Sequence, residues 1–165
     1  MTWPDRRPEV ATGERVLAHA RTRTGTVLAG TRAALFLPGP DGGAIRVPWE
    51  CVQSADWDDE TATLRVSEMG TWGEQRPSHS FVLLRPDRLL QLLRERVSAS
   101  ILWQQSVPIR GRQGVRVIAR RSLGSAERIE WFYDFDPGID PSDPDVRRLA
   151  DAALHAAQHQ LGLAP

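Results

Sequence analysis

The sequence predicts an α+β fold, in which a strongly bent antiparallel β-sheet or barrel is capped by one helix and followed by a β-hairpin and a C-terminal helix. Three observations carry this prediction. Short segments with period-two alternation of apolar residues occupy positions 15–84. An amphipathic stretch at 87–104 and another at 144–161 have helical spacing. Turns rich in glycine and proline separate these segments.

The first strands are read from alternation and from the turns between them. Apolar and polar residues alternate from Val16 to Ala20, and Val27–Leu37 is long enough for two strands with a bend at Gly30–Arg32. Pro38–Gly43 forces a chain reversal, because proline fixes φ and glycine permits positive φ. The later extended segments are Ile45–Val47, Val52–Trp57, Leu64–Val66 and Ser80–Leu84.

The first helix is predicted over Asp87–Gln104. Pro86 suits the first turn, and Asp87 lies where the helix dipole favours a negative charge. The apolar residues that recur at helical spacing are Leu89, Leu90, Leu92, Leu93, Val97, Ile101 and Leu102. This stripe predicts a helix that packs one face on the preceding sheet.

The C-terminal third predicts two strands and a helix. Val115–Arg120 and Ile129–Phe135 alternate in polarity and are predicted to form a hairpin. Asp143 is a suitable N-cap for the second helix, with Pro144 in its first turn and Gly162 as its stop. Its predicted buried stripe is Val146, Leu149, Ala150, Ala153, Leu154, Ala157 and Leu161.

One family resemblance is visible in the first two-thirds of the chain. It rests on Thr26–Leu37, on Ile45–Val52 with its Pro-Trp step, and on Ala55–Trp57. Over roughly residues 14–104 this order resembles bacterial proteins with a pleckstrin-homology-like domain. The resemblance implies a small, bent antiparallel sheet whose open end is plugged by a C-terminal helix. It also implies lipid-headgroup binding, peptide binding or oligomerisation, since one fold hosts several functions.

The predicted organisation has three parts. Residues 1–12 form a flexible N-terminal arm that can dock through Trp3, and residues 13–106 form the β-sheet or barrel with its helix. Residues 107–165 form a strand-strand-helix extension packed on that domain, which gives one compact body.

Composition narrows the compartment and the chemistry. The net charge is +0 and lysine is absent, which excludes a P-loop lysine or a Schiff base. A single cysteine, Cys51, excludes an internal disulfide and suits a reducing cytoplasm. No apolar run approaches ~20 residues, so no membrane span is expected. The first residues lack the apolar core of a signal peptide. We therefore expect a cytoplasmic protein.

Two groups of residues raise the question of a metal. His155 and His159 have metal-ligand spacing on the second helix, but they lie away from its apolar stripe. The aspartates of 134–145 do not have the spacing of a calcium loop and are better explained by turns and a helix cap. No metal and no cofactor is predicted.

A basic stretch is the main candidate binding site. Its arginines are Arg110, Arg112, Arg116, Arg120, Arg121 and Arg128. Such a stretch can bind phosphate or nucleic acid, with Trp103 and Trp131 as stacking partners. The alternative is a solvated strand face that pairs with the acidic residues after Glu130. Trp72, in a glycine-rich loop, is a second candidate contact.

The sequence predicts a non-catalytic binding or scaffold module that acts through protein–protein contacts, with an unknown protein partner or as a homo-oligomer. The alternative is a binder of an anionic ligand (phosphate, nucleic acid or lipid headgroup) through Arg110–Arg128. The third hypothesis, a hydrolase-type enzyme, lacks a nucleophile motif and an assignable catalytic residue. The candidate partner-binding residues are Arg110, Arg112, Arg116, Arg120, Arg121 and Trp72.

Overall fold

A computed structural model describes residues 10, 13–70 and 76–163, and it shows the predicted α+β fold. Trp3 and Trp72 lie outside the described residues. The strands of the first sheet are β1 (Ala18–Thr22), β2 (Val27–Gly30), β3 (Ala34–Pro38), β4 (Ala44–Pro48), β5 (Val52–Asp58), β6 (Thr63–Glu68) and β7 (Ser78–Leu84). The remaining elements are α1 (Asp87–Ser100), β8 (Ile101–Arg110), β9 (Gln113–Arg121), β10 (Ile129–Phe135) and α2 (Pro144–Gln160).

The first seven strands form one bent antiparallel sheet with the order β4-β3-β2-β1-β7-β6-β5. β1 is the bridge, because it pairs with β2 on one side and with the end of β7 on the other. The sheet does not close into a barrel, so β4 and β5 remain its two edges. A short 3₁₀ turn at Trp49–Cys51 carries the chain from one edge to the other.

Helix α1 fills the concave side of this sheet. Leu89 is fully buried, and Leu90, Leu92 and Leu93 are nearly so. The indole of Trp49 is also fully buried, and its Nε1 donates a 3.0 Å hydrogen bond to the carbonyl of Thr31. These side chains form one apolar core, so the predicted burial of the leucine stripe is confirmed.

The predicted extension of the first helix to Gln104 is wrong, because α1 ends at Ser100. The hydroxyl of Ser100 donates to the carbonyl of Val97, and the chain becomes extended at Ile101. Ile101 then pairs with Arg120 of β9. The apolar pattern continues through Ile101 and Leu102, but strand pairing with a distant segment overrides it.

The second sheet has three antiparallel strands in the order β10-β9-β8. The predicted hairpin is present as β9 and β10, which pair in register from Ile129–Arg121 to Phe135–Val115. β8 was not predicted, and it spans the boundary that we expected at residue 106. The connection between β8 and β9 is a tight turn after Arg110, in which Gly111 has a positive φ of 59°.

Helix α2 packs on β8 and β9. Asp143 caps it as predicted, because its carboxylate accepts the backbone N–H of Asp145 at 2.9 Å. Val146, Ala150 and Ala157 are buried, whereas Leu149 is 41% exposed, so the predicted burial of Leu149 is wrong. At 3.6 residues per turn, Leu149 lies about 80° to one side of the line through the buried residues.

Polar and apolar contacts join the two sheets. Asp134 of β10 accepts from Arg76 Nη2 at 2.6 Å and from Gln53 Nε2 at 3.3 Å. Arg120 of β9 reaches the end of α1. Leu123, in the loop after β9, packs against the core of the first sheet. The second sheet is therefore held against β5, the β6–β7 connection and α1.

Leu89 provides a test of the core. We expect Leu89→Ala to lower the free energy of unfolding by about 3 kcal/mol, because it leaves a cavity under the first sheet. Leu149→Ala is the matched control, and we expect it to change the free energy of unfolding by less than about 0.5 kcal/mol. Urea denaturation measures both. Equal losses for the two variants would contradict the packing described above.

Candidate binding surfaces

The predicted basic stretch does not form one continuous surface. Arg110 pairs with Asp143 at 3.3 Å, and Arg116 lies 3.9 Å from Asp134. Arg112 is exposed in the β8–β9 turn. Arg120 is buried, whereas Arg121, the next residue, points to the other side of β9. The structure therefore brings two of these arginines to acidic partners and distributes the others over different environments.

The two tryptophans proposed as stacking partners contact each other. The rings of Trp103 on β8 and Trp131 on β10 lie 6.2 Å apart in an edge-to-face arrangement. Both residues are opposite Ala119 of β9, whose small side chain leaves room for this contact. Their pairing stabilises the second sheet and uses part of the ring surface that a base would need.

Arg120 occupies a buried polar site between the sheets. Its side chain is almost fully buried, and Nη1 donates a 2.8 Å hydrogen bond to Ser100 Oγ. Burial lowers the pKa of the Arg120 guanidinium, and the nearby carboxyl of Glu50 offsets part of that effect. Arg120 Nε has no hydrogen-bond partner in the structure. Arg120 therefore holds the sheets together and is not available to a ligand.

Glu50 faces the same region from the 3₁₀ turn. It is 4% exposed, and its Oε2 is buried without a hydrogen-bond partner. Burial is the main cause that raises the pKa of its carboxyl, and the charge of Glu130 adds to it, while a backbone hydrogen bond and the nearby arginines Arg46 and Arg128 act against it. The Glu50 carboxyl therefore lies in the interface between the two sheets and has a structural role there.

Cys51, next to Glu50, is a free thiol that packs partly against the core. Burial raises the pKa of this thiol to about 11, and the charges of Glu130, Glu50 and Glu68 add to the effect. At neutral pH the side chain is a thiol and not a thiolate. Cys51 therefore contributes to the core as a small, largely apolar side chain.

An inter-sheet cleft of about 960 Å³ opens beside Glu50. One wall is the β2–β3 bend with the segment before β1, and the other wall is the β9–β10 loop. Its charged lining is mixed, with the residues Glu14, Arg15, Arg32, Arg46, Glu50, Arg128 and Glu130. Glu14 and Arg46 neutralise each other through a 3.0 Å ion pair.

A smaller arginine pocket of about 380 Å³ adjoins this cleft, and we define it by Arg32, Arg96 and Arg121. The three residues come from the β2–β3 bend, from α1 and from the end of β9. Arg121 was among the predicted site residues, whereas Arg32 and Arg96 were not. No local pattern identifies them, because they meet only through the packing of the second sheet on α1.

An aromatic cleft of about 620 Å³ lies between β10 and α2. Tyr133 and Phe135 stack in its wall, with ring centroids 6.1 Å apart. The hydroxyl of Tyr133 donates to Asp151, and burial together with the charge of Asp151 raises the pKa of this tyrosine to about 12. Phe132 also lines this cleft.

The outer edge of β8 is open. In the described part of the chain, β8 pairs with β9 and with no second strand. It is ten residues long, and Ile101 and Leu102 at its start are 38% and 41% exposed. An edge strand of this length presents a row of unpaired backbone donors and acceptors.

The residues considered as metal ligands have other roles. Asp140 accepts from the N–H and the hydroxyl of Ser142, and Asp143 caps α2. His155 and His159 are exposed on α2. Within residues 13–70 and 76–163, no three side chains of the usual ligand types come together. No helix in these ranges is long and apolar enough to cross a membrane.

Comparison with known proteins identifies no relative. No family model, no curated protein and no solved structure matches the chain.

Glu50→Gln tests the buried carboxyl. Because burial raises the pKa of Glu50, the folded state binds its proton more tightly than the unfolded chain, and the stability that this gives is lost as pH rises. We expect the unfolding free energy of the variant, minus that of the parent, to increase with pH above the ordinary carboxyl value of 4.5. Urea denaturation between pH 4 and 8 measures it. Glu60→Gln, in an exposed turn, is the control. A difference in unfolding free energy between Glu50→Gln and the parent that does not change with pH would contradict the burial of the Glu50 carboxyl.

Cys51 gives an independent test of the same region. We expect iodoacetamide to alkylate the folded protein at pH 8 roughly 100-fold more slowly than the unfolded chain, because the thiolate is the nucleophile. Mass spectrometry of the protein with and without guanidinium chloride measures the two rates. Similar alkylation rates with and without guanidinium chloride would show that the Cys51 thiol is not buried and that its pKa is not raised.

Proposed function

We propose that this protein is a non-catalytic scaffold module that acts through protein–protein contacts, and that its partner along β8 is a second copy of the chain. The single observation that carries the proposal is the open edge of β8. Along its ten residues, the outer edge of this strand is paired with no other strand of the described chain, and its start carries exposed apolar side chains. Strand addition satisfies such backbone groups directly.

The other edge strands are short, charged or covered, whereas β8 is long and uncharged along most of its length. β4 has five residues and carries Arg46, while β5 carries Asp56 and Asp58. β10 carries Glu130 and Asp134, and Asp134 is bound by side chains of the first sheet. Charged residues, short length and coverage are the usual means of preventing edge-to-edge pairing. β8 has no charged residue between Ile101 and Ile109. Its pairing with β9 is irregular between Ile101 and Trp103 and between Pro108 and Arg110, so the most regular part of its edge lies between these two points.

A second copy fits this edge because two β8 strands can pair antiparallel about a two-fold axis. The central residues, Gln104, Gln105 and Ser106, are neutral, so the two copies bring no like charges together. The apolar start of each strand then lies beside the Val107–Ile109 end of its partner, where the side chains are also uncharged. Such isologous pairing is the commonest form of association between identical chains.

We also propose that the first sheet and α1 form a domain of the pleckstrin-homology-like type. This is supported by seven antiparallel strands followed by one helix whose leucines fill the concave side of the sheet. The three-stranded sheet with α2 is then an addition to that domain, and it supplies the association edge. We place the module in the cytoplasm, where the free thiol of Cys51 remains reduced.

The non-catalytic part of the proposal is supported by the state of the reactive groups. The raised pKa of Cys51 makes it a poor nucleophile. His79 is held by Glu68, with Nε2 2.7 Å from Oε2, on the surface formed by β6 and β7. Glu50 and Glu130 both line the inter-sheet cleft. The Oε2 atom of Glu50 is buried, so a molecule bound in the cleft could not reach it. A hydrolase would need a nucleophile or acid–base pair that a substrate can reach.

The test adds negative charge to the open edge. We expect the purified full chain to be a dimer and Gln104→Glu with Ser106→Glu to be a monomer, because the two copies then place like charges in contact. Sedimentation equilibrium at micromolar concentrations measures the mass, and we expect the dissociation constant to rise at least tenfold. Circular dichroism checks that the variant is folded.

The matched control is Ala152→Glu with Ala156→Glu, which adds the same charge on the exposed side of α2. We expect the control to remain a dimer. A parent chain that is monomeric at the highest concentration reached would contradict pairing with a second copy. A dimer that survives the β8 substitutions would place the interface elsewhere.

A further inference from the structure

The arginine pocket concentrates positive charge in a chain whose net charge is zero. Arg32, Arg96 and Arg121 line it together with Ser122, Ser125 and Glu127. Within the described ranges, none of the three guanidinium groups lies within ion-pair distance of a carboxylate. The pocket therefore holds several unneutralised cations.

The hydrogen-bond donors of the pocket are also only partly used. Arg96 Nε is buried and has no hydrogen-bond partner in the structure. Arg121 Nε donates a 3.0 Å hydrogen bond to the carbonyl of Ala99 at the end of α1, which leaves its two terminal nitrogens for another acceptor. A buried donor of a charged group without an acceptor is costly, and a bound anion would supply the acceptor.

Hydrogen bonds between residues close in sequence fix the two segments that form the walls of the pocket. The hydroxyl of Thr31 accepts the N–H groups of Ala33 and Ala34, which fixes the bend that carries Arg32. In the β9–β10 loop, Ser122 Oγ donates to the carbonyl of Ala126 and accepts the N–H of Arg128. The two walls touch, because a Cβ at Gly124 would lie 3.6 Å from Ala33 Cβ. The pocket is thus positioned before any ligand arrives.

We propose that the arginine pocket binds the phosphate group of a small polar molecule. Planar guanidinium forks match phosphate oxygens, and three of them suit a group with two negative charges better than a single carboxylate. The volume of about 380 Å³ accommodates a phosphate with a small attached group. No aromatic side chain lines the pocket, and Leu123 is its one large apolar side chain, so the lining offers no surface on which a nucleobase could stack.

This site differs from the predicted basic stretch Arg110–Arg128, because Arg121 is the only arginine of that stretch that lines the pocket. It is also separate from the open edge of β8, since none of its lining residues belongs to that strand. The two proposals can therefore fail independently. Glu127 is the one acidic residue of the lining, and its charge opposes an incoming anion. Removing it is expected to strengthen binding, whereas removing an arginine is expected to weaken it.

The experiment uses the purified full chain with pyrophosphate and ribose 5-phosphate as probes, followed by isothermal titration calorimetry at low and moderate salt. We expect binding that weakens as salt is raised. We expect Arg32→Gln and Arg96→Gln each to weaken it about tenfold, as loss of a charge-assisted contact does. We expect Glu127→Gln to tighten it several-fold. Arg112→Gln, in the exposed β8–β9 turn, is the matched control and is expected to change the affinity by less than about twofold.

Several results would overturn the proposal. One is the absence of binding of either probe at millimolar concentration in low salt. Another is an equal loss of affinity for Arg112→Gln and Arg96→Gln, which would indicate unspecific attraction to arginine. Adenosine monophosphate bound at least tenfold more tightly than ribose 5-phosphate would contradict the small, non-aromatic ligand. Sedimentation and circular dichroism of each variant confirm that association and folding are unchanged.

Discussion

The buried contact between Arg120 and the end of α1 is the constraint on which the rest of the structure depends. A guanidinium with almost no exposure to water is costly unless acceptors and negative charges surround it. Ser100 supplies the acceptor at 2.8 Å, and Glu50 contributes a negative charge nearby. The second sheet can therefore sit against the first in few other ways, because any large shift would leave a buried charge without compensation.

Both proposed surfaces follow from this junction. Since Ser100 is the last residue of α1, the chain enters β8 at the next residue and runs along the side of β9 away from β10. That path makes β8 an outer strand. On the other side of the junction, Arg121 follows Arg120 directly and points to the opposite face of β9, where it meets Arg96 and Arg32. One buried residue thus fixes the places of the association edge and of the arginine pocket.

The sequence predicted what is local and periodic. The leucine stripe of α1, the turn at Pro38–Gly43 and the cap at Asp143 each have a mechanism that lies within a few neighbouring residues. The end of α1 could not be found in this way, because Ile101 and Leu102 continue the helical pattern and only pairing with β9 makes them a strand. The exposure of Leu149 depends similarly on how far the second sheet extends under α2.

The candidate sites were predicted less well for the same reason. The stretch from Arg110 to Arg121 is contiguous in sequence, yet strand alternation and ion pairs with Asp134 and Asp143 separate its members in space. Arg32 and Arg96 are far apart in sequence and share a pocket only after the sheets have docked. A basic run is thus a weak indicator of a basic surface when acidic residues follow it closely.

The central claim is that the open edge of β8 is a protein-binding surface, and hydrogen–deuterium exchange tests it most directly. At the highest soluble concentration of the purified chain, the outward-facing amides of β8 are expected to be protected, as the amides of a paired strand are. The edge strands β4 and β5 serve as internal references, because they remain unpaired on one side. Exchange of the outward-facing β8 amides at the rate of an unstructured peptide at that concentration would contradict the claim.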